Sequence, residues 1–237
     1  MILPNVRATF GRREAEILLS LAGPNGERRL SEEGIDALLD DPALVRALLR
    51  RRGIDTTSAP LVFYLLVRHA LLEREIHDRR LADYTAAVLL EFGRVGQLSA
   101  PDENALPMSF YLADVLVELE RARGDREFQL RAHLGNLALW LAGVFPDRIT
   151  HRVQRRGAPP ISYYDELGAA GFRSAAGMEL AIRHGLGDVF LQVADDFTHI
   201  RSALNGLSDA LFFPHPHDSV ERVLREVADT FQRNLYR

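Results

Sequence analysis

The chain has no cysteine, which excludes disulfides, thiolate nucleophiles and cysteine-ligated zinc or iron–sulfur centres. It also has no lysine: all 29 of its basic residues are arginine. Schiff-base chemistry and a phosphate-binding P-loop lysine are thereby removed. Arginine in place of lysine points to a GC-rich, bacterial source. No apolar run reaches the ~20 residues of a membrane span. Met1-Ile-Leu-Pro lacks the charged start and apolar centre of a signal peptide, so no membrane association is expected and the cytoplasm is the expected location. Sustained two-residue alternation with β-branched enrichment is missing, which excludes a sheet. There is no Gly-x-Ser-x-Gly, dinucleotide loop, His-Glu-x-x-His, calcium loop or fixed-period repeat. With 33 acidic residues against 29 basic ones and a net charge of -4, nucleic acid is not an expected partner.

What is present is the composition of a globular protein: 47% hydrophobic and 26% charged over 237 residues. Apolar positions recur at spacings of three and four nearly throughout. The fold class is therefore all-α, a multi-helix bundle of about nine or ten helices with no sheet. A small helical N-terminal unit is expected over residues 1–56 and a main helical domain over 57–237, the two being compatible with a single domain.

Taken in order, residues 11–22 predict a first helix with Ile17, Leu18 and Leu21 inward. Arg13-Glu-Ala-Glu with these apolar residues resembles the opening helix of LuxR-type DNA-binding domains. Pro24-Asn25-Gly26 departs from the turn and recognition helix that follow in that family. Ser31 is expected to cap a helix to Asp40, and Pro42 to open another ending at Arg50. Thr57-Ser58-Ala59-Pro60 is a helix entrance, and Asp78 caps a helix carrying Leu81, Tyr84, Val88 and Phe92. Residues 96–107 have no periodicity and predict a long loop. A helix over 109–122 follows.

The chain is organised around residues 125–177. Leu130, Leu134, Leu137, Leu141 and Val144 form one helical stripe, widened by Leu139, Trp140 and Phe145. Asp125 is expected to cap this helix. Gly157-Ala-Pro-Pro ends the next one, and Ser162 with Asp165 suggests a cap for a third. That third helix carries Gly168, Gly171, Ser174, Ala175 and Gly177. Each glycine costs a helix ~1 kcal/mol against alanine, so a bare flank of this kind predicts close approach by another helix, a second subunit or a ligand. The helix is expected to run on through Leu180 and Ile182 to Gly185. Asp188 then caps a helix with Val189, Val193, Phe197, Ile200 and Leu204 inward, and Asp218 with Glu221 caps the last.

Candidate ligand-binding residues are Arg148, His151, Arg152, Arg155, Arg156, Tyr163, Tyr164 and His133. Guanidinium groups at helical spacing form a cationic side able to pair with carboxylate or phosphate. An anionic small molecule or a protein is thus a conceivable partner. The plainer account is a solvated helix end whose arginines suit the dipole. No catalytic residue, metal site or cofactor is assigned. His69, Glu73 and His77 would make a metal edge only on one unbroken helix, and His77-Asp78 reads as a break. Asp196 and His199 lack the glutamates of a di-metal site and read as an exposed polar face. Two functions follow: a non-catalytic interaction or regulatory protein that self-associates as a homodimer through the small-residue helix, or a helical enzyme or ligand binder with an Arg/Tyr/His anion pocket.

Overall fold

The computed structural model describes residues 1–50, 58–95 and 112–212. The chain is all-α, with no strand among the described residues, which form thirteen α-helical segments and two 3-10 turns, Arg7–Thr9 and Gly23–Asn25. It divides into two compact units.

One unit, within Ile2–Leu98, holds α1 (Arg12–Ala22), α2 (Gly26–Glu33), α3 (Ile35–Leu39), α4 (Pro42–Arg50), α5 (Ala59–Leu72) and α6 (Arg79–Val95). α5 and α6 form an antiparallel hairpin, and α4 packs on α5. Leu81, Tyr84, Val88 and Phe92 are buried as their spacing demands. Asp78 caps α6 through the N–H groups of Arg80 (2.7 Å) and Leu81 (3.3 Å). Residues of the expected 1–56 unit bond directly to α5, with Arg68 on Asp40 and His69 on the Leu39 carbonyl.

The other unit, within Ser99–Ser208, holds α7 (Leu112–Arg121), α8 (Gly124–Val144), α9 (Pro146–Arg156), α10 (Ile161–Ala176), α11 (Glu179–Arg183), α12 (Gly187–Asp195) and α13 (Phe197–Phe212). α8 is its axis: residues 134–140 are all buried. α10 runs antiparallel to α8 at close range. A Cβ at Gly171 would stand 2.8 Å from the Arg131 carbonyl oxygen, and one at Gly168 would meet the Phe197 ring at 2.3 Å and the Ala138 Cβ at 2.9 Å. At Gly168 and Gly171 the bare flank of α10 is therefore filled from within the same unit, by α8 and α13, whereas Ser174 and Gly177 are exposed, with nothing within 4 Å of a Cβ at Gly177. Phe172 rests in the space left by Gly135 and packs on Phe190 and Phe197, while Phe190 stacks on Phe128. Burying each such ring contributes roughly 1.5–3 kcal/mol.

Several expected boundaries move, each for a local reason. α2 begins at Gly26, tucked beneath Leu19 and Ala22. Ser31 therefore lies inside it and donates to the Arg28 carbonyl, and the break falls at Gly34, φ 83°. Asp125 and Asp188 sit one position inside α8 and α12 rather than capping them, where their charge still suits the positive helix end. Pro160, in extended conformation, is the N-cap of α10, so Ser162 is already helical. α10 stops at Ala176, and α11 is a separate turn of helix on which Ile182 points outward. The inner stripe from Val189 to Leu204 is buried as expected, but Asp196 divides it between α12 and α13. The loop over 96–107 and the Asp218–Glu221 cap lie outside the described residues.

Candidate functional site

Arg68 is the one arginine in the apolar run 61–72, and it is 2% exposed. A guanidinium cannot shed its charge, so its burial requires a countercharge and acceptors. Asp40, just past α3, supplies both oxygens, with Nε to Oδ1 at 2.7 Å and Nη2 to Oδ2 at 3.0 Å. Nη1 donates to the His77 carbonyl at 2.8 Å. Arg79, in the first turn of α6, donates to the same Asp40 Oδ2 at 2.5 Å and approaches Asp36 at 3.7 Å. Asp36 in turn accepts from the Arg7 guanidinium. The result is a continuous chain of alternating charge, Arg7–Asp36–Arg79–Asp40–Arg68, joining the N-terminal segment, α3, α5 and α6. Burial pushes Asp40 up, but the hydrogen bonds and charge of Arg68 and then Arg79 outweigh it, and the carboxyl lies below its ordinary value.

Two ionisable groups beside this chain lack that compensation. The Tyr64 hydroxyl is fully buried and has no hydrogen-bond partner among the described residues. Burial pushes it up to about 12. Asp83 is 6% exposed and accepts the backbone N–H of Arg7 at 2.8 Å, with no ion pair among the described residues. Desolvation holds it above the usual carboxylate range despite that bond and the Arg7 charge. His69 is pushed down by burial, which favours the neutral ring, and its Nε2 lies 3.0 Å from the Leu39 carbonyl.

The expected ligand set is spread over α8, α9 and α10. His133 lies half-buried on α8. Tyr163 and Tyr164 stand in the first turn of α10, edge to face with centroids 6.1 Å apart. In the antiparallel pairing of α8 with α10, His133 is level with Gly171, eight residues from Tyr163, on the order of 12 Å along the axis at 1.5 Å per residue. Arg148, His151, Arg152, Arg155 and Arg156 lie on α9, their side chains outside the described set. The metal edge dissolves as its break implied: α5 ends at Leu72, Glu75 takes φ 61°, and His77 follows outside the helix. No group of three or more potential metal ligands is present among the described residues. Asp196 and His199 are exposed, 3.8 Å apart.

Sequence reasoning missed the Arg–Asp chain, although the lone arginine among apolar neighbours was a usable signal. It also missed the apolar side chains left outside. Ile182 on α11 is 69% exposed and Leu191 on α12 is 44% exposed. Ile182 lies on α11 and Leu191 in the middle of α12, the next helix in the chain. Among exposed charged side chains, Arg183 pairs with Glu179, and Arg173 with Asp195. Among the described residues no helix is long and apolar enough to cross a membrane. No family model, curated protein or solved structure matches this chain.

Proposed function

We propose that this is a non-catalytic helical interaction protein that self-associates through the edge formed by α11 and α12. The observation that carries the reading is the exposure of Ile182 and Leu191 on consecutive short helices whose Ala181, Val189, Phe190 and Val193 are inside. An apolar pair rimmed by charge is the usual make-up of a contact surface. Arg173 pairs with Asp195 and Arg183 with Glu179, so the rim carries both signs, and a two-fold contact would set each against the other. Gly168 and Gly171 of α10 do not serve this association, because α8 and α13 already cover them. Arg7, Arg68 and Arg79 of the N-terminal unit are likewise committed to Asp36 and Asp40. Light scattering coupled to size exclusion tests the reading: the mass should rise from 26.6 kDa toward twice that value with concentration. A constant monomer mass at high micromolar concentration would contradict it.

A second reading is an anion-binding surface at the α9–α10 junction. Tyr163, 37% exposed, and Tyr164 follow the arginine-rich α9 directly in the chain. Calorimetric titration with inorganic phosphate tests it, and no heat above dilution would reject it.

A further inference from the structure

We propose that residues 6–10 form a clasp closed over Tyr64 and Asp83, and that the protonation state of Asp83 sets how tightly the clasp closes. Four contacts hold it. Val6 is buried, the Arg7 N–H bonds Asp83, and the Arg7 guanidinium bonds Asp36 while lying 5.7 Å above the centre of the Tyr64 ring. Phe10 sets its ring edge to face against Tyr64, with centroids 5.7 Å apart. Beneath these residues lie two groups whose burial is poorly compensated: a tyrosine hydroxyl without a hydrogen-bond partner and a carboxylate held by the main chain of Val6 and Arg7 without an ion pair, among the described residues. A closed clasp keeps both dry. An open one returns them to water.

The direction follows from linkage. The groups that act on Asp83 are the main chain of Val6 and Arg7, the Arg7 charge, and Tyr64 of α5. The guanidiniums of Arg68 and Arg79 are taken up by Asp40, which leaves Asp83 only the more distant Arg7 charge. With the clasp closed, Asp83 holds its proton more tightly than an exposed aspartate; with it open, it titrates as an ordinary one. Protonation therefore favours closure, and the clasp loosens as pH rises through the raised pKa. Each unit of upward displacement corresponds to about a tenfold change in the closed-to-open ratio.

Hydrogen–deuterium exchange on the full chain, normalised for the intrinsic pH dependence of exchange, tests this between about pH 4 and 7. Protection at residues 6–10 should fall as pH rises, while amides in the middle of α5 and α6 change little. D83N should keep the clasp closed and flatten the profile. R7A, which loses the Asp36 bond but keeps the backbone donor, should lower protection throughout yet retain the pH dependence. A flat or opposite wild-type profile would overturn the proposal. So would a change of equal size across α5 and α6, which would mark global unfolding instead of a local clasp. If D83N fails to fold, the wild-type profile and R7A decide the matter.

Discussion

A side-chain carbon at Gly171 would stand 2.8 Å from the carbonyl oxygen of Arg131. Neither partner at that contact has a flexible atom to move. α10 and α8 meet backbone to backbone, and the missing side chain is what permits it. G171A should therefore destabilise the protein by ~1–3 kcal/mol through overpacking, despite alanine's better helix propensity. G177A is the matched control, because nothing lies within 4 Å of its Cβ position. It should be neutral or add up to ~1 kcal/mol. Thermal denaturation of the two variants distinguishes them, and equal midpoints would contradict this account of the α8–α10 contact.

The C-terminus of α8 is finished by another helix. Asn205 on α13 donates to the carbonyls of Ala142 (2.7 Å) and Gly143 (2.8 Å), and the Ser208 hydroxyl donates to that of Val144 (3.0 Å). Arg201 orients Asn205 through Oδ1 at 2.7 Å and is itself held by Asp165 at 2.7 Å. N205A leaves two helix-end acceptors without their donors and should cost ~1–3 kcal/mol. Because the groups form one network, N205A and D165A should be non-additive in urea denaturation. Strict additivity would show that Asp165 does not act through Asn205.

Asp165 also shows where sequence reading reached its limit. At the sequence level it is the third residue after Ser162 and suggests a capping box. The double proline already supplies an extended N-cap, and the carboxylate is committed to Arg201, 36 residues away. The apolar stripes were legible because burial depends on periodicity, which is local: Leu130, Leu134, Leu137 and Val144, and the stripe from Val189 to Leu204, are buried as their spacing requires, with Leu141 half-buried. The breaks at Gly34, Gly177 and Asp196 were not, since the same stripe can continue across a broken helix. The Arg7–Asp36 and Arg68–Asp40 pairs span 29 and 28 residues. No spacing rule encodes them.

The charged chain in the N-terminal unit gives a pH dependence of known sign. Asp40 lies below its unfolded value in the fold, so its contribution is present above about pH 4 and is lost as pH falls through the depressed pKa. D40A leaves the Arg68 guanidinium buried with only the His77 carbonyl among these contacts. It should cost ~3–5 kcal/mol at neutral pH and reduce the loss of stability on acidification. Chemical denaturation at several pH values checks both, and an unchanged acid limb would remove Asp40 from the account.

Self-association through the α11–α12 edge is tested most directly by sedimentation equilibrium of the double variant I182E/L191E beside the wild type. Both side chains are exposed, and surface substitutions of this kind usually change stability by less than ~0.5 kcal/mol, so helicity and melting should be preserved. The account predicts a dimer for the wild type and a 26.6 kDa monomer for the variant at the same concentration. Equal masses for the two, whether monomer or dimer, would contradict it.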